Sequence, residues 1–420
     1  MIRQLFICVV ALLMSEVVVA QLSLEEYVSS VEEYSQSLAI ARSQSRGAEA
    51  DMRVAQRNFL PRLDLSSDVG YEFRDRSPQR QYDWGVRTTL SQPIFSGGRV
   101  RSSAKRAEMA YEAMLSRQES EWLSVRYDAE VAYWRLSRAE TYLRAIEEYY
   151  AIVQTLREVA SHRFEEGYTS KSDLLQVESR LSDAEYQLSL AEQQWRVALH
   201  GFNVLRGSDP SQDVTLYQSI LDTMYMPQRE CVMEVVASHP DYVSMVAQRE
   251  AARWNVGVVQ SNYLPNIGAE AYALWQPNTP HIKGAGTRLD GGLMLTLNTP
   301  IFHFGQRREA VRSARSAERV AELGMSQVAD DIVLNESDGW TNLTLTQERV
   351  EATNRNLLIA EENLDISTYS YREGRSTILD VLQAQISWLQ IYQNAISAQY
   401  DYAVAISAYR YIIADDIRLK

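Results

Sequence analysis

The sequence predicts a mainly α fold with membrane β, a duplicated set of long coiled-coil helices into which four β-strands are set as two hairpins. Three observations carry this. Marks in the first half recur in the second at a near-constant offset, glycine and proline are too few and too clustered for an all-β chain, and two segments alternate apolar and polar residues over a membrane-crossing length. The composition is compatible: 45% of the 420 residues are hydrophobic and 23% charged, with 18 glycines and 10 prolines. The 42 Lys and Arg against 55 Asp and Glu give a net charge of -13, so the chain lacks the basic footprint of a nucleic-acid binder and nucleic acid is excluded as a partner.

Residues 1–20 open with Arg3, continue through the apolar run Leu5 to Met14 and end on Val18-Val19-Ala20, the pattern of a secretory signal peptide. Cys8 falls inside that segment and Cys231 stands alone after it, so no intramolecular disulfide is expected. Beyond residue 20 no apolar run reaches 18 residues, and membrane insertion would have to be by strands.

The first repeat, 21–205, begins with a helix over about 22–58 and reaches a β-hairpin at 62–92 through Asn58-Phe59-Leu60-Pro61. Leu63, Leu65, Val69, Tyr71 and Phe73 alternate with Asp64, Ser66, Asp68, Gly70 and Glu72, and the returning strand sets Trp84, Val86 and Leu90 against Gly85, Arg87 and Ser91, with the tip at 74–81. Pro93-Ile94-Phe95 then marks the exit. No glycine occurs between Gly98 and Gly167 and no proline between Pro93 and Pro210, so a helix can run unbroken over 99–164, about 100 Å at about 1.5 Å per residue. Trp122, Val125, Ala129, Ala132, Leu136, Ala139, Leu143, Ile146, Tyr150 and Val153 form a heptad seam along it. After the turn at Gly167, a helix over 172–205 continues the rhythm from Leu174 and Val177 to Phe202 and Leu205.

A linker at 206–227 leads to the second repeat, 228–413: a helix, a hairpin over 266–299, a long helix over 306–371, a helix over 376–413, and a tail at 414–420. Asn262-Tyr263-Leu264-Pro265 repeats the first lead-in 204 positions on, whereas Pro300-Ile301-Phe302 and Gly374 repeat their partners 207 positions on, so three residues are added within the second hairpin. Its first strand breaks the alternation, because Tyr272 and Leu274 fall on the polar side. In the second long helix Leu343, Val350, Leu357 and Leu364 recur, but Thr346, Thr353 and Ser367 occupy the alternate seam positions, which either weakens the packing or lines something wet. The two shorter helices of each repeat together match one long helix in length, which puts the hairpins at one end, the Gly167 and Gly374 turns at the other, and the linker near mid-length. Four strands are too few to close a barrel, and an open sheet cannot face lipid with unpaired edges, so the chain must oligomerise.

These marks, taken in order over essentially the whole mature chain, resemble the TolC-like outer membrane efflux proteins. The resemblance rests on the repeated Leu-Pro lead-ins, on Gln92-Pro93-Ile94-Phe95-Ser96-Gly97-Gly98-Arg99, and on the turns Gly167-Tyr168-Thr169-Ser170-Lys171-Ser172-Asp173 and Gly374-Arg375-Ser376-Thr377-Ile378-Leu379-Asp380. It implies a homotrimer closing a 12-stranded outer membrane barrel that continues into the periplasm as a helical coiled-coil barrel. The implied role is the exit duct of a tripartite efflux pump or type I secretion system, a passive conduit gated at its periplasmic end. Its implied partners are a periplasmic membrane fusion (adaptor) protein, an inner membrane transporter and outer membrane lipid. At the gate the resemblance implies roles for Ser172, Asp173, Tyr371 and Asp380. Ser376 stands where the family has a linking arginine; Arg375 is adjacent, but one residue along a helix turns its direction by about 100°, which leaves its substitution open, and Gln383 stands where a second ring aspartate would be. A simpler role for Asp173 and Asp380 is to cap the helices after the glycine turns.

No catalytic residue, metal or cofactor is expected: the five histidines have no metal-ligand spacing and Gly97-Gly98 lacks the rest of a phosphate loop. The alternative to a channel is a soluble periplasmic coiled-coil adaptor or scaffold, which would leave two membrane-length hairpins unexplained. The cargo, whether drugs, metal ions or polypeptides, is not written in the chain.

Overall fold

The computed structural model describes residues 21–71, 82–277 and 286–418. The signal segment 1–20, residues 72–81 with the predicted strand positions Glu72 and Phe73, residues 278–285 and the last two residues of the tail lie outside them. The elements are α1 (Leu24–Tyr34), α2 (Gln36–Arg57), β1 (Arg62–Tyr71), β2 (Tyr82–Phe95), α3 (Arg99–Glu165), α4 (Lys171–Leu205), α5 (Val232–Ser238), α6 (Pro240–Ser261), β3 (Asn266–Pro277), β4 (Thr287–Asn298), α7 (Gln306–Arg372), α8 (Ile378–Ile413) and the short α9 (Asp415–Arg418). They fall into two compact units, one of residues 40–118 and 240–330 and the other of residues up to 39, 119–239 and from 331 onward.

The helix that the sequence predicts over 22–58 is broken at Ser35. Its backbone turns extended (φ -56°, ψ 118°), and its Oγ accepts the Leu38 N–H at 3.3 Å, which starts α2 with a side-chain cap. The second repeat breaks at His239, because the residue before Pro240 is sterically driven out of the helical region (φ -67°, ψ 128°).

In the unit that holds most of the long helices, the core follows the predicted seams. Val125, Ala129, Leu136, Ile146 and Val153 of α3 are buried, as are Val177, Ala184, Ala191 and Phe202 of α4 and Val381, Ala384, Trp388, Tyr402 and Tyr409 of α8. Tyr133 and Tyr149 are buried too, since α3 packs on more than one neighbour and its apolar face is wider than one heptad seam. Tyr27 stacks on Phe202 with ring centroids 3.8 Å apart and donates its hydroxyl to the Phe202 carbonyl at 3.1 Å, fixing α1 on α4. On α7 the seam threonines need no water: Thr346 Oγ1 donates to the Asn342 carbonyl at 2.8 Å and Thr353 Oγ1 to the Arg349 carbonyl at 2.9 Å, within their own helix.

The linker is pinned at its middle. Leu22 pairs with Leu216 as a parallel bridge, and the Tyr133 hydroxyl donates to Gln218 Oε1 at 2.8 Å. The tail forms α9, whose Asp416 lies 2.8 Å from Arg126 Nε, and the same guanidinium reaches Glu25 at 3.0 Å and Glu130 at 3.4 Å. Burial pushes the Glu130 carboxyl above its usual range, against the Ser407 hydrogen bond and the charges of Arg126 and Arg410, and burial does the same to Asp416.

Candidate functional site

Two places carry the functional reading, the sheet and the helix tips after the long helices. The sheet is an antiparallel meander in the order β1-β2-β3-β4, so its central ladder, β2 with β3, joins the two repeats. Pairing places Leu63 opposite Leu90, Leu65 opposite Thr88 and Val69 opposite Trp84, then Leu90 opposite Ala271 and Val86 opposite Trp275, then Ala271 opposite Leu293 and Ala269 opposite Leu295. Paired residues share a face, so the apolar positions of all four strands form one continuous surface. Leu65 is 73% exposed and Leu293 89%, so this surface has no cover among the described residues. The other face carries Asp64, Ser66, Asp68, Arg87, Glu270 and Asp290.

Tyr272 and Leu274 do lie on that polar face, and glycines accommodate them. Gly292 sits under the Tyr272 ring, where a Cβ would come within 3.0 Å, and Gly85 lies beside Leu274, while the Arg87 guanidinium is 5.2 Å from the Tyr272 ring centre. With the Tyr272 ring over Gly292 and beside the Arg87 guanidinium, and Leu274 beside Gly85, the strand keeps its polar face despite the broken alternation.

The proline marks have different placements. Pro61 and Pro265 immediately precede β1 and β3, and Pro300 follows β4. Pro93, predicted as the boundary of the first hairpin, lies inside β2, which runs on to Phe95; the register to β3 shifts between Pro93 and Phe95, as a residue with no N–H to donate requires. Gln92 Nε2 donates to the Phe59 carbonyl at 2.9 Å and so clamps the hairpin's exit to its lead-in. Gly97, at φ +59°, has room for no side chain, because a Cβ there would lie 2.6 Å from Leu264 Cβ. The exit of the first hairpin thus packs directly on the lead-in of the second. Among the described residues no helix is long and apolar enough to cross a membrane.

At the helix tips Gly167 and Gly374 take positive φ (+79° and +74°) and end α3 and α7. The next helices start with matching caps. Asp173 Oδ2 accepts the Ser170 N–H at 3.2 Å and the Thr169 hydroxyl at 3.3 Å, while the Asp173 N–H donates to Ser170 Oγ at 3.1 Å. Asp380 Oδ2 accepts the Thr377 hydroxyl at 2.7 Å and its N–H at 2.8 Å, which hold its carboxyl below the usual range. Ser172 and Arg375 are exposed, and the Arg375 N–H donates to the Ser370 carbonyl at 2.8 Å. Tyr371 is buried at 3% exposure and its hydroxyl has no hydrogen-bond partner among the described residues, so it is not joined to Asp173.

The residue that does hold Tyr371 was not among those singled out. Arg163, near the end of α3, donates from Nη1 to the Tyr371 carbonyl at 2.9 Å and from Nη2 to the Arg372 carbonyl at 3.2 Å, with its guanidinium 4.8 Å from the Tyr371 ring centre. One cation from the first repeat therefore closes the C-terminus of the second repeat's long helix. The sequence signal was a basic residue in a last helical turn, but the 207 offset carries Arg163 onto Ser370, so the duplication hid it.

A family profile described as outer membrane efflux protein matches residues 27–207 and 232–411, one stretch in each repeat. The chain is 23% identical to the outer membrane efflux protein BepC of Brucella suis over 87% of its length and 79% of BepC, and 20% identical to the outer membrane protein TolC of Vibrio cholerae over 95% of its length and 92% of TolC. Its fold superposes on the outer membrane protein VceC of Vibrio cholerae with a TM-score of 0.79 at 19% identity, covering 93% of this chain and 95% of that one. With both repeats matched and the TolC-like fold in place, the chain belongs to the outer membrane efflux protein family, as an outer membrane channel of the exit-duct kind and not a soluble periplasmic adaptor.

Proposed function

We propose that three copies of this chain close a 12-stranded barrel through the β1 and β4 edges, and that the joined helices form a conduit whose periplasmic end is gated at the Gly167 and Gly374 turns. The observation that carries this reading is the sheet: one apolar face in register across both repeats, and two outer edges with no strand beside them among the described residues. The exposed Leu323, Leu334, Leu358, Ile359 and Ile366 of α7 add apolar surface that a neighbouring copy would cover. The duct works passively with a periplasmic adaptor and an inner membrane transporter, and the chain itself catalyses nothing. At the entrance, three copies of Asp380 face one another as a cation-attracting ring, with Ser172, Asp173, Tyr371 and Arg375 around it. Native mass spectrometry of detergent-solubilised protein tests the assembly: three chains per particle are expected, and a monodisperse monomer or dimer would refute it.

A further inference from the structure

The strongest unexplained feature is a cavity of about 450 Å³ within the helical unit, walled by α3, α7 and α8. Ile152, Leu156, Val159 and Leu364 give it apolar sides, and Tyr371 and Gln385 contribute polar groups. Gln385 is 1% exposed, and among the described residues neither atom of its amide has a hydrogen-bond partner, nor has the Tyr371 hydroxyl. Three unpartnered polar atoms on two buried side chains of one cavity are unusual, since most buried polar groups are paired. The feature does not follow from the duplication either: 207 positions earlier, Phe164 stands for Tyr371 and is exposed, and Glu178 stands for Gln385 and is half-buried.

We propose that this cavity is a binding site for an uncharged amphipathic small molecule, a flat apolar body carrying a carboxamide or an equivalent group that both donates and accepts. The chemistry follows from the three atoms. A primary amide pairs with the Gln385 side chain through two antiparallel hydrogen bonds, its carbonyl accepting from Nε2 and its N–H donating to Oε1, and its carbonyl retains a lone pair for the Tyr371 hydroxyl. Asp365 and Arg372 line the wall with opposite charges, which favours no net charge on the ligand. The volume lies within the range of small-molecule pockets, about 300 to 1,000 Å³. A molecule seated there would touch the last turns of α7 and the body of α3 together, and so bind the Arg163 clasp in its observed arrangement.

The test is independent of the channel reading, because it measures binding to detergent-solubilised protein. Biphenyl-4-carboxamide is the probe and 4-methylbiphenyl its apolar counterpart of similar shape, followed by ligand-observed NMR titration. Saturable binding of the carboxamide is expected, with at least a tenfold loss in Gln385→Leu and no change for 4-methylbiphenyl in that variant. Thr368→Phe, which fills the cavity from α7, should abolish binding of both. Gln385→Leu should melt no lower than the unaltered protein, since it removes an unpartnered amide. No saturable carboxamide binding, equal affinity in Gln385→Leu, or a lower melting temperature for that variant would each overturn the proposal.

Discussion

Arg163→Ala should release the last turn of α7. Its two hydrogen bonds to the Tyr371 and Arg372 carbonyls come from a charged donor, a class that contributes about 1.5 to 3 kcal/mol each when well buried. Arg163 is only half-buried, so the lower end applies, and the two bonds share one side chain and do not add in full. The ring contact with Tyr371 adds about 0.5 to 1 kcal/mol and the cation at a helix C-terminus a few tenths, for a net local loss of about 2 kcal/mol. At about 1.4 kcal/mol per factor of ten, that is roughly 30-fold in the opening equilibrium. The reporters are the amides that close this turn, Glu373 to the Tyr369 carbonyl, Gly374 to Tyr371 and Arg375 to Ser370. Hydrogen exchange followed by mass spectrometry should show them exchanging about 30-fold faster in the variant, while peptides around Trp388 keep their protection. Arg163→Lys should recover less than half of the effect, because one ammonium cannot span both carbonyls as the planar fork does. Exchange within threefold of the unaltered protein would refute the clasp.

Arginine at Leu65 or Leu295, on the apolar face, should cost about 2 to 4 kcal/mol near mid-bilayer and deplete the assembled protein in the outer membrane fraction, whereas Ser66→Arg on the other face should assemble normally. Asp380→Ala should weaken block of single-channel current by multivalent cations, and unchanged block would leave Asp380 with only its cap to Thr377. The raised carboxyls of Glu130 and Asp416 mean that the folded state binds their protons more tightly than the unfolded chain. Their contribution to stability is full below the unfolded value and is lost as pH rises through the folded one. Glu130→Gln should therefore gain in melting temperature relative to the unaltered protein as pH rises from 5 to 8; a gap independent of pH would contradict the assignment.

Much of the architecture was legible because it depends on periodicity and repetition. The apolar seam of α8 needs only a 3.6-residue helix to be buried, and the two faces of the hairpins need only the pleat. What was not legible depends on single contacts across long separations. The break at Ser35 is made by one hydroxyl within a segment whose apolar rhythm continues through it. Pro93 looked like a boundary because proline usually ends pairing, yet β2 continues past it by shifting register against β3. Tyr272 and Leu274 looked like errors in a polar face because Gly292 and Gly85, which make room for them, are on other strands. Arg163 acts 208 positions from the carbonyl it holds, and no local pattern marks such a pair.

The ladder between β2 and β3 has a consequence for how the chain reaches its folded state. About ten residues of sequence separate the two strands of each hairpin, but joining the hairpins brings together strands about 170 residues apart in the sequence. Closing a loop of that size, compared with one of about ten residues, costs about 2.5 kcal/mol more in chain entropy, and long-range pairing of this kind is slow. Chain entropy therefore favours closing each hairpin before the ladder that joins them. During that interval β2 and β3 are templates for any other extended chain, and the imino nitrogen of Pro93 leaves a gap in the row of donors on one of those edges. The seating of Leu264 against Gly97 then fixes the late step, because the lead-in of the second hairpin packs where the first has left no side chain.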